Sequence, residues 1–481
     1  MPRLIGVSNR TAAGGSKAGG LAVALWDALV ETRGMWFGWS GDLARTAPRG
    51  VEMFAEDGVD FALTDLTEAE HEGYYLGYSN RALWPVCHYR VDLANFDEDD
   101  FEVYAGVNHR FAKLVYPRVA KDDLIWVHDY HLMLMGRELR EMGWRGRMGY
   151  FLHIPFPPPE IFKSLPAHAQ LVRALCAFDV IGFQTTNDRR NFQKYIQDEF
   201  GAEELGGCRW QVAGRTVTIR AYPIGIDHGD FAAMATGEAA NGAIARMQPF
   251  LSGRDLILGV DRMDYSKGIP ERFEAMGKLL DHYPELHNKI AYTQIAPPSR
   301  SVVEEYADLR EDLDRLSGRI NGDYGDLDWI PIRYLARPYP RQALAGLYRL
   351  ARIALVTPLH DGMNLVAKEF VAAQDPDDPG VLVLSQFAGS AEQLSGGAML
   401  VNPHDASGTA DTMREALSMP LAERKRRWAA MDKVVREQDI TWWREAFLAD
   451  LDPEGTMGGQ TNGAGGVEGA KGSGSVVALG R

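Results

Sequence analysis

The stretch Thr357-Pro-Leu-His-Asp-Gly-Met-Asn-Leu-Val-Ala-Lys-Glu369 decides how the chain is read. Before it stands Arg352-Ile-Ala-Leu-Val356, a short apolar run with the character of a buried parallel strand. After it, residues 365–374 predict a helix. Gly362 is expected to permit the tight turn between the two, and Asn364 to cap the helix. A strand, a tight polar turn and a helix start make an anion site, because the first backbone N–H groups and the helix dipole face whatever sits there. Asp361 lies in the turn. Glu369 follows one helical turn beyond Leu365 on the same face, so its carboxylate reaches toward the mouth of the same crevice. Carboxylates only accept hydrogen bonds and suit sugar hydroxyls better than phosphate. The stretch reads as a nucleotide-sugar site; a capped helix with a solvated Asp and Glu fits the same residues.

Working outward, short apolar runs recur, most of them followed by helix-like segments. They cover residues 4–7, 124–127, 148–152, 180–183 and 217–221, then 256–260, 290–295, 329–334, 353–356, 381–384 and 399–401. Such alternation implies an α/β architecture with parallel sheets. The runs are too many for one comfortable open sheet, and Pro223-Ile-Gly-Ile-Asp227 offers a hinge. The expected architecture is therefore two doubly wound Rossmann-like domains facing an interdomain cleft. They span residues 1–228 and 229–435, followed by a C-terminal helix over 436–452 and a disordered Gly-rich tail over 453–481.

At 481 residues the chain is long enough for two or three domains with real cores. Its formal net charge of −15 argues against nucleic-acid and anionic-membrane partners, which select basic surfaces. Small phosphorylated substrates need only local Arg and Lys. Cys87, Cys176 and Cys208 are too few and scattered for a disulfide framework or zinc knuckle, and imply reduced thiols in a cytoplasm. No apolar run approaches a membrane span. Arg3-Leu-Ile-Gly-Val7 is too short for a signal-peptide core and reads as a first strand.

Ligands of open α/β sheets bind outside the carboxyl ends of the strands. Those ends carry Ser8-Asn9-Arg10, His128-Asp129-Tyr130-His131, His153-Ile-Pro-Phe-Pro157, Gln184, Asp261-Arg-Met-Asp-Tyr-Ser-Lys-Gly268 and Ala296-Pro-Pro-Ser-Arg300. Polar ends in both halves predict two facing rims and one cleft. Arg262 and Lys267 can neutralise a diphosphate, Arg as a fork and Lys as a point charge; a surface salt-bridge pair is the alternative. Gly14-Gly-Ser-Lys-Ala-Gly-Gly20 lacks the Walker and dinucleotide signatures and reads as a mobile lid entering a helix near Leu21. His128 and His131 have metal-ligand spacing but no third ligand at a suitable distance in sequence, so no metal is expected. Tyr74-Tyr75 and Leu83-Trp84-Pro85 bring aromatics, which line sugar sites and fill cores alike. His153 ends a strand before a Pro-rich turn, a position that points it at a ligand.

Taken in order from about residue 3 to 452, Ser8-Asn-Arg10, Gly19-Gly-Leu21, Leu83-Trp-Pro85, His128-Asp-Tyr-His131, His153-Ile-Pro-Phe-Pro157 and the segments 261–268 and 361–369 resemble the trehalose-6-phosphate synthase family. These are retaining GT-B glycosyltransferases of family 20. The resemblance implies transfer of glucose from UDP-glucose to glucose 6-phosphate, giving α,α-trehalose 6-phosphate and UDP, without metal or other cofactor. It implies that Arg262 and Lys267 hold the donor diphosphate, helped by the backbone of Leu365 and Val366. Glu369 would bind the ribose and the Tyr339 backbone the base. Gly19, Gly20, His153 and Asp361 would surround the transferred glucose. Arg10, Tyr75, Asp129 and Arg300 would grip the acceptor, while Trp84 and Ile154 wall the site between the two sugars and select the anomer. His153, Arg262, Lys267 and Asp361 would carry catalysis. A homo-oligomer, dimer or tetramer, is the family expectation.

Two departures stand out. His360 occupies a position where the family often has Arg, and the loop between Arg10 and Gly19 is shorter than in some relatives. Competing readings are a synthase for another phosphorylated acceptor such as glycerol 3-phosphate, a pseudo-glycosyltransferase for a nucleotide-linked cyclitol, and a non-catalytic sugar-phosphate sensor. The joint presence of Arg262, Lys267, Asp361 and Glu369 opposes the sensor. The missing dinucleotide fingerprint opposes a dehydrogenase.

Overall fold

The apolar runs pair into two sheets, one in each lobe. The computed structural model describes residues 2–13, 20–45, 50–299 and 304–457. Gly19, Arg300, most of the glycine loop and the tail beyond Met457 fall outside them. Gly20 is the first residue of a helix, Gly20–Thr32.

The N-terminal lobe holds a ten-stranded sheet ordered β3-β4-β2-β1-β5-β6-β7-β10-β9-β8. Its strands are β1 (Leu4–Arg10), β2 (Met35–Ala44), β3 (Glu52–Glu56), β4 (Val59–Thr67), β5 (Leu124–His128), β6 (Met148–Phe151), β7 (Val180–Phe183), β8 (Glu203–Gly206), β9 (Arg209–Val212) and β10 (Arg215–Ala221). The centre is parallel; β3 and the β8–β9 hairpin attach antiparallel at the two edges. The second lobe holds six parallel strands ordered β13-β12-β11-β14-β15-β16. They are β11 (Asp255–Val260), β12 (Ile290–Ile295), β13 (Ile332–Leu335), β14 (Ile353–Val356), β15 (Val381–Ser385) and β16 (Met399–Val401). Strands β5, β6, β7, β12, β14 and β15 are buried along their whole length, as expected where helices cover both faces.

Every run expected to be a strand is one, though residues 329–334 begin their strand only at Ile332. There Asp326 and Trp329 close a turn on each other instead. Strands β2, β3, β4, β8 and β9 were not anticipated. All of β3 and β8 is exposed, so no apolar run marks them, whereas β2 opens on the buried run Met35–Trp39 and was missed despite it. Asp57 and Gly58, both at positive φ, form the two-residue turn that pairs β3 with β4.

The chain crosses between the lobes twice. It leaves the first through Pro223–Asp227 and returns at Gln438–Ile440, where the Leu421–Glu437 helix ends and Asp439 caps a last helix, Ile440–Leu451. The two crossings bond to each other, Ile440 N–H donating to Ile226 C=O at 3.2 Å. The last helix then packs into the core of the N-terminal lobe. The Phe447 ring stacks on Trp126 at 4.5 Å and meets Tyr222 and Phe151, and Trp443 stacks on Trp126 at 5.2 Å. The expected amphipathic helix over 436–452 thus begins four residues later and completes the first lobe.

After β4 the first lobe forms a π-helix, His71–Leu83, whose i→i+5 bonding is rare and concentrates at functional sites. It carries Tyr74 and Tyr75 and delivers Trp84.

Phe447→Ala removes a fully buried ring from this core and should lower unfolding stability by about 3–5 kcal/mol in chemical denaturation. A loss below about 1 kcal/mol would mean that the last helix is not part of that core.

Candidate active site

Strand β14 ends at Val356, and the quoted turn leads into the helix Leu365–Ala373. The turn is zipped to the loop after β15: Asp361 N–H donates to Phe387 C=O, Gly389 N–H to Asp361 C=O, and Ser390 N–H to Met363 C=O. Two expectations for it need correction. Asn364, not Gly362, takes the left-handed conformation, at φ 72°, and its side chain makes no capping bond. That amide instead donates to Asp361 at 3.1 Å and to Asp261 at 3.4 Å, so it serves the turn's carboxylates. Gly362 is required for close approach rather than for its backbone angles. A Cβ there would lie 2.5 Å from the carbonyl oxygen of His153 in the other lobe.

The helix start, left without a side-chain cap, opens on a cavity of about 450 Å³ between the lobes. The first lobe lines it with Asp129, His153 and Gln184, the linker with Ile224, and the second lobe with Asp261, Arg262, Lys267, the 361–366 turn and Glu369. Strand ends from both sheets therefore share one cleft.

Lys267 is placed by a short helical turn ended by Gly268 at φ 64°, where a Cβ would meet the Thr357 carbonyl at 2.4 Å. Its ammonium contacts Asp361 Oδ2 at 2.5 Å. Burial opposes ionisation of Asp361, but Lys267, His88 and Asn364 hold its carboxyl below the ordinary range. Buried Arg272 supports the pair from behind. It binds Asp261 at 2.7 Å, the Lys267 carbonyl at 2.8 Å and Thr357 Oγ1 at 2.9 Å. Arg262 is half exposed, its guanidinium 5.8 Å over the Trp84 ring of the first lobe.

On the facing rim, Asp129 sits at φ 75° and accepts the His153 backbone N–H at 3.3 Å. Positive φ in a residue with a Cβ is a strained state of the kind held at functional sites. Burial pushes His153 down to about 3, so the imidazole is neutral. Its Nε2 faces His128 Nδ1 at 3.2 Å. His131 stacks on Tyr75 at 5.8 Å, which accounts for the second histidine of the pair as an aromatic packing partner. Glu369 lies 3.8 Å from Arg341; burial raises its carboxyl to about 7, with Arg341 and Tyr348 opposing. His360 stacks on Tyr89 of the first lobe at 4.0 Å, and burial holds it near 4, hence uncharged.

Of the anticipated residues, Asp129, His153, Arg262, Lys267, Asp361, Leu365, Val366 and Glu369 line the cavity together. Ile154 abuts Gly362 and Trp84 lies by Arg262, at the cavity's edge. Arg10 lies over Trp39 at 5.2 Å and Tyr75 between His71 and His131; neither is on the cavity wall. Nor is Tyr339, whose hydroxyl accepts from Arg337. Gln184, Ile224, Asp261, Met363 and Asn364 also line the cavity, though none was assigned a role toward substrate. All five carried a signal: four lie at a strand end or inside the quoted stretch, and Ile224 lies in the expected hinge.

The family profile of glycosyltransferase family 20 matches residues 8–453. The chain belongs to that family. It is 47% identical over 454 residues to the trehalose-6-phosphate synthase of Enterobacter sp. (strain 638), covering 94% of this chain and 95% of the relative. It superposes with a TM-score of 0.90 on a UDP-forming α,α-trehalose-phosphate synthase from Burkholderia xenovorans in complex with glucose 6-phosphate. The two are 47% identical, over 94% and 100% of the respective chains. It superposes equally, at 0.90 and 44% identity over 93% and 98%, on the E. coli structure bound with UDP-2-fluoro glucose. The two-domain GT-B architecture follows from these likenesses.

Gly362→Ala should keep the unfolding midpoint within a few degrees yet hold the lobes apart. Label-to-label distances between exposed sites on the two lobes should lengthen and broaden. A distribution identical to that of the parent would show that the approach to His153 does not limit closure.

Proposed function

We propose that the chain is a retaining glucosyltransferase moving glucose from UDP-glucose to glucose 6-phosphate, with α,α-trehalose 6-phosphate and UDP as products. The observation that carries this reading is the single cavity walled by Lys267, Arg262 and the helix start on one side and Asp129 and His153 on the other. The substrates bound in the solved relatives support it.

Loss of a nucleoside diphosphate builds negative charge on the β-phosphate and positive charge on the anomeric carbon. Arg262, Lys267 and the N–H groups of Leu365 and Val366 would stabilise the first, with no metal needed; all four residues line the cavity. Lys267 would loosen from Asp361 to do so, freeing that carboxylate for a sugar hydroxyl. Neutral His153 would border the hexose without adding charge beside a developing cation. Glu369 would take the ribose, the Tyr339 backbone the base, and Gly19 and Gly20 the glucose. Arg10, Tyr75, Asp129 and Arg300 would hold the acceptor, with Trp84 and Ile154 between the sugars.

The paired-carboxylate scheme of glycosidases is not a ready fit, since Asp361 is assigned to a sugar hydroxyl and no other carboxylate is singled out as a nucleophile. Front-face displacement fits better: the acceptor hydroxyl attacks from the leaving-group side, and the departing phosphate oxygen takes its proton. Holding the two sugars in contact then carries much of the acceleration. The division near residue 228, the cytoplasmic setting and a homo-oligomeric state belong to the same reading.

Lys267→Ala should lower kcat by about 10²–10³-fold with the fold intact, measured as UDP release; near-normal turnover would refute its role. Arg300→Ala should raise the KM for glucose 6-phosphate more than that for UDP-glucose, and equal changes would count against it. Glycerol 3-phosphate, offered in place of glucose 6-phosphate, should give no product. Because the Glu369 carboxyl titrates near 7, its ionised fraction grows as pH rises through that value. UDP-glucose has no proton to lose there, so its affinity should increase from pH 6 to pH 8 and become flat in Glu369→Gln. A slope unchanged in the variant would assign it to another group.

A further inference from the structure

The linker residue Ile224 is held from both sides. Its N–H donates to Gln184 Oε1 at 3.0 Å, and its C=O accepts from Lys368 Nζ at 2.6 Å. Gln184 follows β7 in the first lobe; Lys368 lies in the helix Leu365–Ala373 of the second, one residue before Glu369. All three are at least nine-tenths buried. We propose that Gln184 and Lys368 are positioning residues that clamp Ile224 between them and so set the register of the two lobes across the cleft. The proposal rests on the reading of that cleft as the site of glucosyl transfer.

A buried amine with no carboxylate against it is costly, and burial alone brings Lys368 down to about 7. Packing does not require it, since a methionine would fill the same space without that cost. What the amine supplies is a donor, and it has an N–H to give whether charged or neutral. Its target is the backbone carbonyl of a linker residue that lines the cavity.

The other half of the clamp reaches the chemistry. The Ile224 N–H fixes which end of the Gln184 amide is oxygen. Gln184 Nε2 then points at His153 Nδ1, 3.5 Å away. That makes Nδ1 the acceptor and puts the His153 proton on Nε2, toward His128 Nδ1. A shift of Ile224 would therefore move Glu369's helix and His153 relative to each other, and misplacements of about 1 Å can cost about 10²-fold in rate.

The test uses the full chain, with UDP-glucose and glucose 6-phosphate as substrates and UDP alone as the binding probe. Lys368→Met and Gln184→Met should each melt in one transition and bind UDP within about threefold of the parent, because the diphosphate contacts lie within the second lobe. Each should lose at least about tenfold in kcat. The double variant should lose little more than the worse single one, since both act through one residue. Turnover within about twofold of the parent in Lys368→Met would overturn the clamp, as would losses that multiply in the double variant or UDP affinity that falls as steeply as kcat. If Lys368→Met does not fold, Gln184→Met decides by the same kcat and UDP criteria. An inactive parent would instead refute the reading of the cleft itself.

Discussion

The contact between Lys267 and Asp361 is the constraint on which the second lobe's rim depends. A buried ion pair is costly unless its remaining hydrogen-bonding capacity is met, and a partner left alone is costlier still. Here the pair sits in a chain of bonds. Asn364 reaches both Asp361 and Asp261, Asp261 meets Arg272, and Arg272 returns to the Lys267 carbonyl and to Thr357. The end of β11, the end of β14 and the start of the Leu365–Ala373 helix are thereby fixed to one another. Under the proposed function, a diphosphate arriving at that helix start would meet positive charge held close by, with Lys267 exchanging Asp361 for phosphate.

The first lobe reaches the same cleft by a different physics. Its contributions depend on how closely the lobes approach. Gly362 lies against the His153 carbonyl, Met363 enters the apolar cluster of the first lobe, and Trp84 comes under Arg262. Two chain crossings bonded to each other limit the directions in which the lobes can move. One lobe thus presents a cross-braced helix start and the other a surface brought to it, an arrangement that under the proposed function would exclude water once both sugars are in place.

Much of this was legible in the amino-acid order because strand, turn and helix each leave a local mark. The apolar runs of β5, β7, β11, β12 and β14 and the polar residues after them predicted two facing rims, and eight of the anticipated residues line one cavity. Much of what escaped had no local mark. Strands β3 and β8 are exposed throughout and exist only because a neighbour's edge accepts them. The role of Gly362 depends on a carbonyl some 200 residues away in sequence. Asn364 looks like a cap, but two buried carboxylates compete for its amide and win. Ile224 offers only its backbone, and no pattern of side chains announces a backbone contact.

The most direct test of the account is the fate of the anomeric carbon. UDP-glucose labelled with ¹³C at that carbon would be incubated with glucose 6-phosphate and followed by NMR. One lobe stabilising the leaving diphosphate while the other presents the acceptor on the same face predicts a single disaccharide phosphate with the labelled carbon in the α configuration and one UDP released for each. A β-linked product, or free glucose as the main labelled species, would contradict it.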